Sequence, residues 1–177
     1  MLNEVMGQNS PLYGRKTAQM EVLPFDYLTA AEFVPGYSNL DKVITYGILG
    51  GVPKYLETFS DKVSVEQNVR RAVVAASGSL HEEPIFLLRM EFREPTLYNS
   101  ILDAVADGAT KMNEIATKIH EEMSKSNKYL TELQTIKLVE KIVPCGEKDT
   151  SKKTIFLKYP YYFLRRGGGN TPLLRHF

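Results

Sequence analysis

The residues best placed to do chemistry lie near position 130. Lys125, Asn127, Lys128, Thr131 and Gln134 share the polar side of a segment whose Tyr129, Leu130 and Leu133 must turn inward. Lysine ammonium groups meet phosphates, while Asn and Gln amides match the donor and acceptor edge of adenine in a major groove. A second group of cations, Lys148, Lys152 and Lys153, sits in a polar stretch downstream and would reach a nucleic-acid backbone. Glu121, Glu122 and Glu132 dilute this basic surface. The same residues also suit a solvated helix face on an interaction or oligomerisation module, and the residues alone leave both readings open.

Other chemistry is sparse. Gly50-Gly51-Val52-Pro53 reads as a helix break followed by a proline at the start of the next helix. Arg15, between Gly14 and Lys16, would reach an anion or simply be solvated. Glu82-Glu83 and Glu91, Arg93 and Glu94 read as helix-terminal charges and ion pairs rather than as acid–base machinery. Cys145 is the single cysteine, so neither an internal disulfide nor a cysteine-based zinc site can form within one chain. His81, His120 and His176 have no ligand spacing, and no Ser/His/Asp or Cys/His arrangement is present.

The elements that must carry these residues are mainly helical. Thr17 to Leu23 alternates and predicts a short strand ended by Pro24, and a helix is expected over Phe25 to Phe33. Ser38 or Asn39 caps a helix with Leu40, Val43, Ile44, Tyr46, Ile48 and Leu49. Ser64 and Gln67 have capping-box spacing and open a helix through Val69, Val73 and Val74 that ends at Gly78. Pro84 opens another, with Ile85, Leu87, Leu88 and Met90.

From Pro95 the pattern changes. Helices are expected from Pro95 to Gly108, from Lys111 to His120 and from Ser124 onward, followed by strands over Ile136 to Val143 and Thr154 to Tyr159. Three short helices and a two-stranded hairpin, at roughly residues 95–160, are the order of a winged helix-turn-helix. The expected fold class is therefore mainly α with small β: a remnant strand, a helical bundle, then a winged helix-turn-helix.

Composition narrows the function classes. The 22 Lys+Arg against 21 Asp+Glu give no overall field that would recruit nucleic acid or membrane. The 43% hydrophobic fraction is that of a globular protein, and no apolar run approaches the roughly 20 residues that span a bilayer. The first residues lack the basic and apolar blocks of a signal peptide, so a cytoplasmic protein with no membrane partner is expected.

Four phrases, in order, carry a resemblance: Ser10-Pro11-Leu12-Tyr13-Gly14-Arg15-Lys16-Thr17 with Leu23-Pro24-Phe25; Tyr46-Gly47-Ile48-Leu49-Gly50-Gly51-Val52-Pro53-Lys54-Tyr55-Leu56; Glu83-Pro84-Ile85-Phe86-Leu87-Leu88; and Glu91-Phe92-Arg93-Glu94-Pro95-Thr96-Leu97-Tyr98-Asn99. Together they resemble the archaeal-type ATPases of the AAA+/STAND class. The resemblance covers about residues 3 to 164. It implies a remnant of the ATPase core over 1–37, a helical lid over 38–94, a winged helix over 95–164 and a flexible tail over 165–177.

The resemblance also implies roles. Gly51 and Pro53 match the lid's G-x-P motif, whose proline lies against the nucleotide base, and Arg15 matches an arginine that faces phosphate. ATP is the implied cofactor. The implied partners are nucleic acid at the winged helix and a second copy or a separate P-loop-containing chain. The sequence departs from the family where hydrolysis would occur. It contains no G-x-x-x-x-G-K-[ST] and no apolar strand ending in paired carboxylates, so ATP hydrolysis by this chain alone is not expected. Together with the unfamiliar stretch after Arg166, this reads as a fragment of an ATPase gene, shortened at both ends.

Overall fold

The computed structural model describes residues 17–18, 20–142 and the backbone of 155–157. The fold is mainly α with small β. It is built around two separate apolar cores.

Local capping chemistry sets the elements of the first core. Helix α1, Tyr27–Ala31, begins where the Asp26 carboxylate accepts from the Thr29 N–H at 2.9 Å. Helix α2, Asn39–Leu49, begins at Ser38, whose hydroxyl accepts from the Asp41 N–H, and it ends at Gly50 with φ +62°. Helix α3, Pro53–Leu56, has its proline in the first turn, where no N–H is needed. Helix α4, Val65–Val69, has the full Ser64/Gln67 capping box and passes into a π-helical turn, Arg70–Val74. Val34, Ile48, Leu49, Leu56, Val73 and Leu80 are buried together.

The second core uses α5, Glu83–Glu91; α6, Pro95–Ala106; α7, Met112–Ile119; and α8, Met123–Thr135. Strands β1, Val139–Lys141, and β2, Ile155–Leu157, then pair antiparallel, with Val139 opposite Leu157 and Lys141 opposite Ile155. Leu88 of α5 joins Ile101, Leu102, Ile115, Leu130, Leu133 and Val139 in this core. Helix α5 thus belongs by packing to the second core. Its first turn reaches the other, where the Glu83 carboxylate accepts from the Lys54 ammonium at 3.0 Å and from the Tyr55 hydroxyl at 3.2 Å.

Several expectations need correction. Thr17 to Leu23 forms no strand among its described residues. Met20 and Val22 are exposed, and among the described residues no strand lies beside them to pair their backbone. Glu21 of this segment pairs with Lys137, in the turn before β1, with both side chains largely exposed. The Phe25–Phe33 helix is only five residues long, because Asp26 caps it late and 32–37 turn. Leu40 and Val43 of α2 face out, as does Val74, which the π turn rotates away from the core. On α5 only Pro84 and Leu88 are buried, and Met90 is exposed. Strand β1 starts at Val139 rather than Ile136, because 136–138 turn after α8, and the residues flanking β2 lie outside the described residues.

A buried polar group holds the first core at a point that composition does not reveal. Asn68 is fully buried, and its amide donates to the Tyr37 hydroxyl at 2.6 Å and to the Ser60 carbonyl at 2.7 Å. Its carbonyl accepts from the Ser60 N–H at 3.1 Å and from Arg71 at 2.9 Å. All its hydrogen-bonding capacity is used, which makes truncation expensive. Asn68→Ala is expected to destabilise the first core by about 3 kcal/mol, because the part-buried Ser60 N–H loses its acceptor, the Tyr37 hydroxyl loses a donor and a cavity is left. Amide exchange across α2 and α4 measures this, and a loss under about 1 kcal/mol would show that the network is dispensable.

Candidate nucleic-acid interface

Helix α7 sets up α8. The Glu114 carboxylate accepts from the Thr110 N–H at 3.1 Å and the Lys111 N–H at 3.3 Å, and these bonds hold its carboxyl below the usual range. At the other end His120 takes a left-handed conformation, φ 55°, and the chain turns through 120–122 into α8. A helix, a tight turn and a second helix follow in that order.

Packing fixes the rotation of α8. Ser126, Leu130 and Leu133 are its buried residues, spaced for one helical face. Ser126 is tolerated there because its hydroxyl donates to the Glu122 carbonyl at 2.9 Å. The opposite face therefore carries Ser124, Asn127, Lys128, Thr131 and Thr135, all exposed. Thr131 and Thr135 donate back to carbonyls one turn earlier, at 2.9 and 3.0 Å.

The predicted DNA-contacting residues do not stand equally. Lys128 lies near the middle of the outward face and makes no hydrogen bond or ion pair among the described residues. Asn127 is exposed beside it. Lys125 lies toward one flank, and its ammonium is 2.9 Å from the Glu121 carboxylate, which raises its pKa. Gln134 is half-buried on the other flank. Lys148, Lys152 and Lys153 lie outside the described residues, as does Arg15.

A network missed in the sequence borders this face. The Tyr98 hydroxyl of α6 donates to Glu132 of α8, and the Tyr129 hydroxyl donates to Glu94 at 3.2 Å. Phe92 stacks on Tyr98 with ring centroids 3.6 Å apart, and Tyr98 meets Tyr129 edge-on at 4.7 Å. Burial first, then the Glu132 carboxylate, pushes the Tyr98 phenol well above its ordinary range, so it remains a donor. The signal available was a tyrosine inside an apolar helical stripe, because a buried phenol needs a partner.

The other candidate residues lie in the first core. Gly51 is buried, and its carbonyl accepts from the Phe25 N–H at 2.8 Å. A Cβ there would lie 1.8 Å from the Phe25 carbonyl oxygen. Gly51 therefore serves close backbone contact, while Pro53, two residues on, is exposed at the start of α3. The adjacent Lys54 and Tyr55 anchor α5 through Glu83, so Glu83 is an ion-pairing residue, as its position suggests.

The chain is 33% identical over 153 residues, 86% of its length, to a protein of Methanocaldococcus jannaschii named "Uncharacterized protein MJECL04". The match takes in 34% of that protein, so this chain spans about a third of the length of the curated relative it matches. No protein-family model matches the chain, and no solved structure matches it. No group of three or more metal-ligating side chains occurs among the described residues. No helix among them is long and apolar enough to cross a membrane.

Gly51→Ala is expected to force Phe25 away from the turn and to destabilise the first core by about 1–3 kcal/mol, as overpacking does. Gly47→Ala is the control. It sits inside α2 with no atom within 4 Å of an added Cβ, so it should stabilise by about 0.5–1 kcal/mol. Thermal denaturation of both variants decides this, and equal effects would contradict the close contact.

Proposed function

We propose that α6 to β2 form a winged helix whose α8 contacts duplex DNA. It is carried on a helical lobe of the kind that serves as a lid in AAA+/STAND ATPases. The observation that carries this reading is the outward face of α8. It presents a lysine without an ion-pair partner among the described residues and an asparagine beside it, on a helix whose opposite face is locked into a core. Phosphate contact by Lys128 and base contact by Asn127 match what a major groove offers. With so few cations, binding is largely non-specific and strongly salt-dependent.

The exposed Pro53 favours a second role for the helical lobe. A proline ring standing clear of the Gly51–Phe25 contact suits packing against an adenine base. ATP held there without a phosphate-binding loop gains little from its charged groups, so binding is no tighter than roughly millimolar and the chain alone does not turn ATP over. A P-loop-bearing partner chain, or a second copy, would supply what is missing. Action in the cytoplasm belongs to the same reading.

Titration of a labelled duplex at two or more salt concentrations tests the DNA contact. Wild type is expected to bind on the order of 10⁻⁴–10⁻⁶ M at physiological salt. Lys128→Ala should weaken binding to all sequences alike and reduce the salt slope by about 0.9, the share of one phosphate contact. Lys125→Ala should do less, because Glu121 already neutralises it, and Asn127→Ala should flatten any sequence preference. No binding at low salt, or a larger effect from Lys125 than from Lys128, would sink this reading.

A further inference from the structure

Among the described residues, Lys128 is left without a partner by a competition among side chains. Glu132 stands four residues after Lys128 on α8, the spacing at which opposite charges pair on a helix surface. It does not pair with Lys128. Its carboxylate is drawn to the other side by the Tyr98 hydroxyl of α6, and Glu132 is half-buried there. A second carboxylate, Glu94, is engaged by Tyr129. Two tyrosines, in edge contact with each other and backed by Phe92, thus hold one carboxylate each.

We propose that Tyr98 is a positioning residue for the α8 surface: its hydroxyl holds Glu132 off Lys128 and so keeps that ammonium free to meet a phosphate. The role rests on the DNA reading above, but the geometry is testable without DNA. A carboxylate released beside Lys128 pairs with the ammonium and repels an approaching phosphate, removing one effective contact. The tyrosine itself touches no nucleic acid and acts only through Glu132.

Tyr98→Phe removes the hydroxyl while leaving the ring that stacks on Phe92. In salt-dependent duplex titrations this variant should lose about 0.9 from the slope of log K against log salt, the share of one phosphate contact. Adding Glu132→Gln to Tyr98→Phe should restore the wild-type slope, because no released charge then reaches Lys128. A purely structural role for Tyr98 would not be rescued this way, so failure of the rescue overturns the proposal. Glu132→Gln alone should leave the slope unchanged. A steeper slope in that variant would show that Glu132 already faces the DNA and would equally overturn it.

If Tyr98→Phe lowers folding, a steeper slope in the single Glu132→Gln variant still overturns the proposal. Without DNA, side-chain NMR of the Lys128 ammonium should change on Tyr98→Phe and return toward wild type in the double variant; an unaffected signal overturns the positioning role. Absence of wild-type binding even at low salt would instead overturn the DNA reading, with the positioning claim settled by that NMR comparison.

Discussion

The burial of Leu130 and Leu133 against Ile101, Leu102 and Ile115 is the constraint on which the second half of the molecule depends. Each leucine removed from water is worth about 1.5–3 kcal/mol, far more than any single surface charge contact. That difference decides which way α8 turns. Once residues 126, 130 and 133 face inward, helical geometry places Ser124, Lys128, Thr131 and Thr135 outward. The surface chemistry is therefore a consequence of the core. The Tyr98 and Tyr129 pairings trim it afterwards, taking up carboxylates at its edge.

The two cores meet through a short joint. Leu80 is the last buried residue of the first core, and Leu88 is the first of the second. Between them, Pro84 opens α5 and Glu83 accepts from Lys54 and Tyr55. Those two residues belong to the helix that Pro53 starts, and the turn before it is fastened by the Gly51–Phe25 bond. The same short helix thus carries the exposed proline and the anchorage of α5. Glu83 is almost fully enclosed on its side, 11% exposed, while Lys54 is 67% exposed, so the pair is fixed chiefly by the carboxylate end.

Much of this was legible because the signals are local. Ser38, the Ser64/Gln67 box and the prolines at 53, 84 and 95 each act within one helical turn, and each marks a real helix start. The outward placement of Lys125, Asn127 and Lys128 followed from the same short-range periodicity. What failed depends on neighbours. The alternation of Thr17 to Leu23 promises a strand, but a strand needs a partner to bond with. The burial of Asn68 depends on Tyr37, 31 residues away, and the Tyr98–Glu132 bond spans 34. Periodicity carries no information about such pairs. The unequal standing of Lys125 and Lys128 is likewise a matter of which carboxylate has another partner.

We propose that one face of α8, set by its buried leucines, is where DNA is met. Amide NMR of the whole chain during titration with a short duplex at low salt tests it most directly. Shifts should concentrate at Ser124, Asn127, Lys128, Thr131 and Thr135, with the amides of the first core unmoved. Shifts centred on the helical lobe, or none anywhere along α8 at saturating duplex, would contradict it.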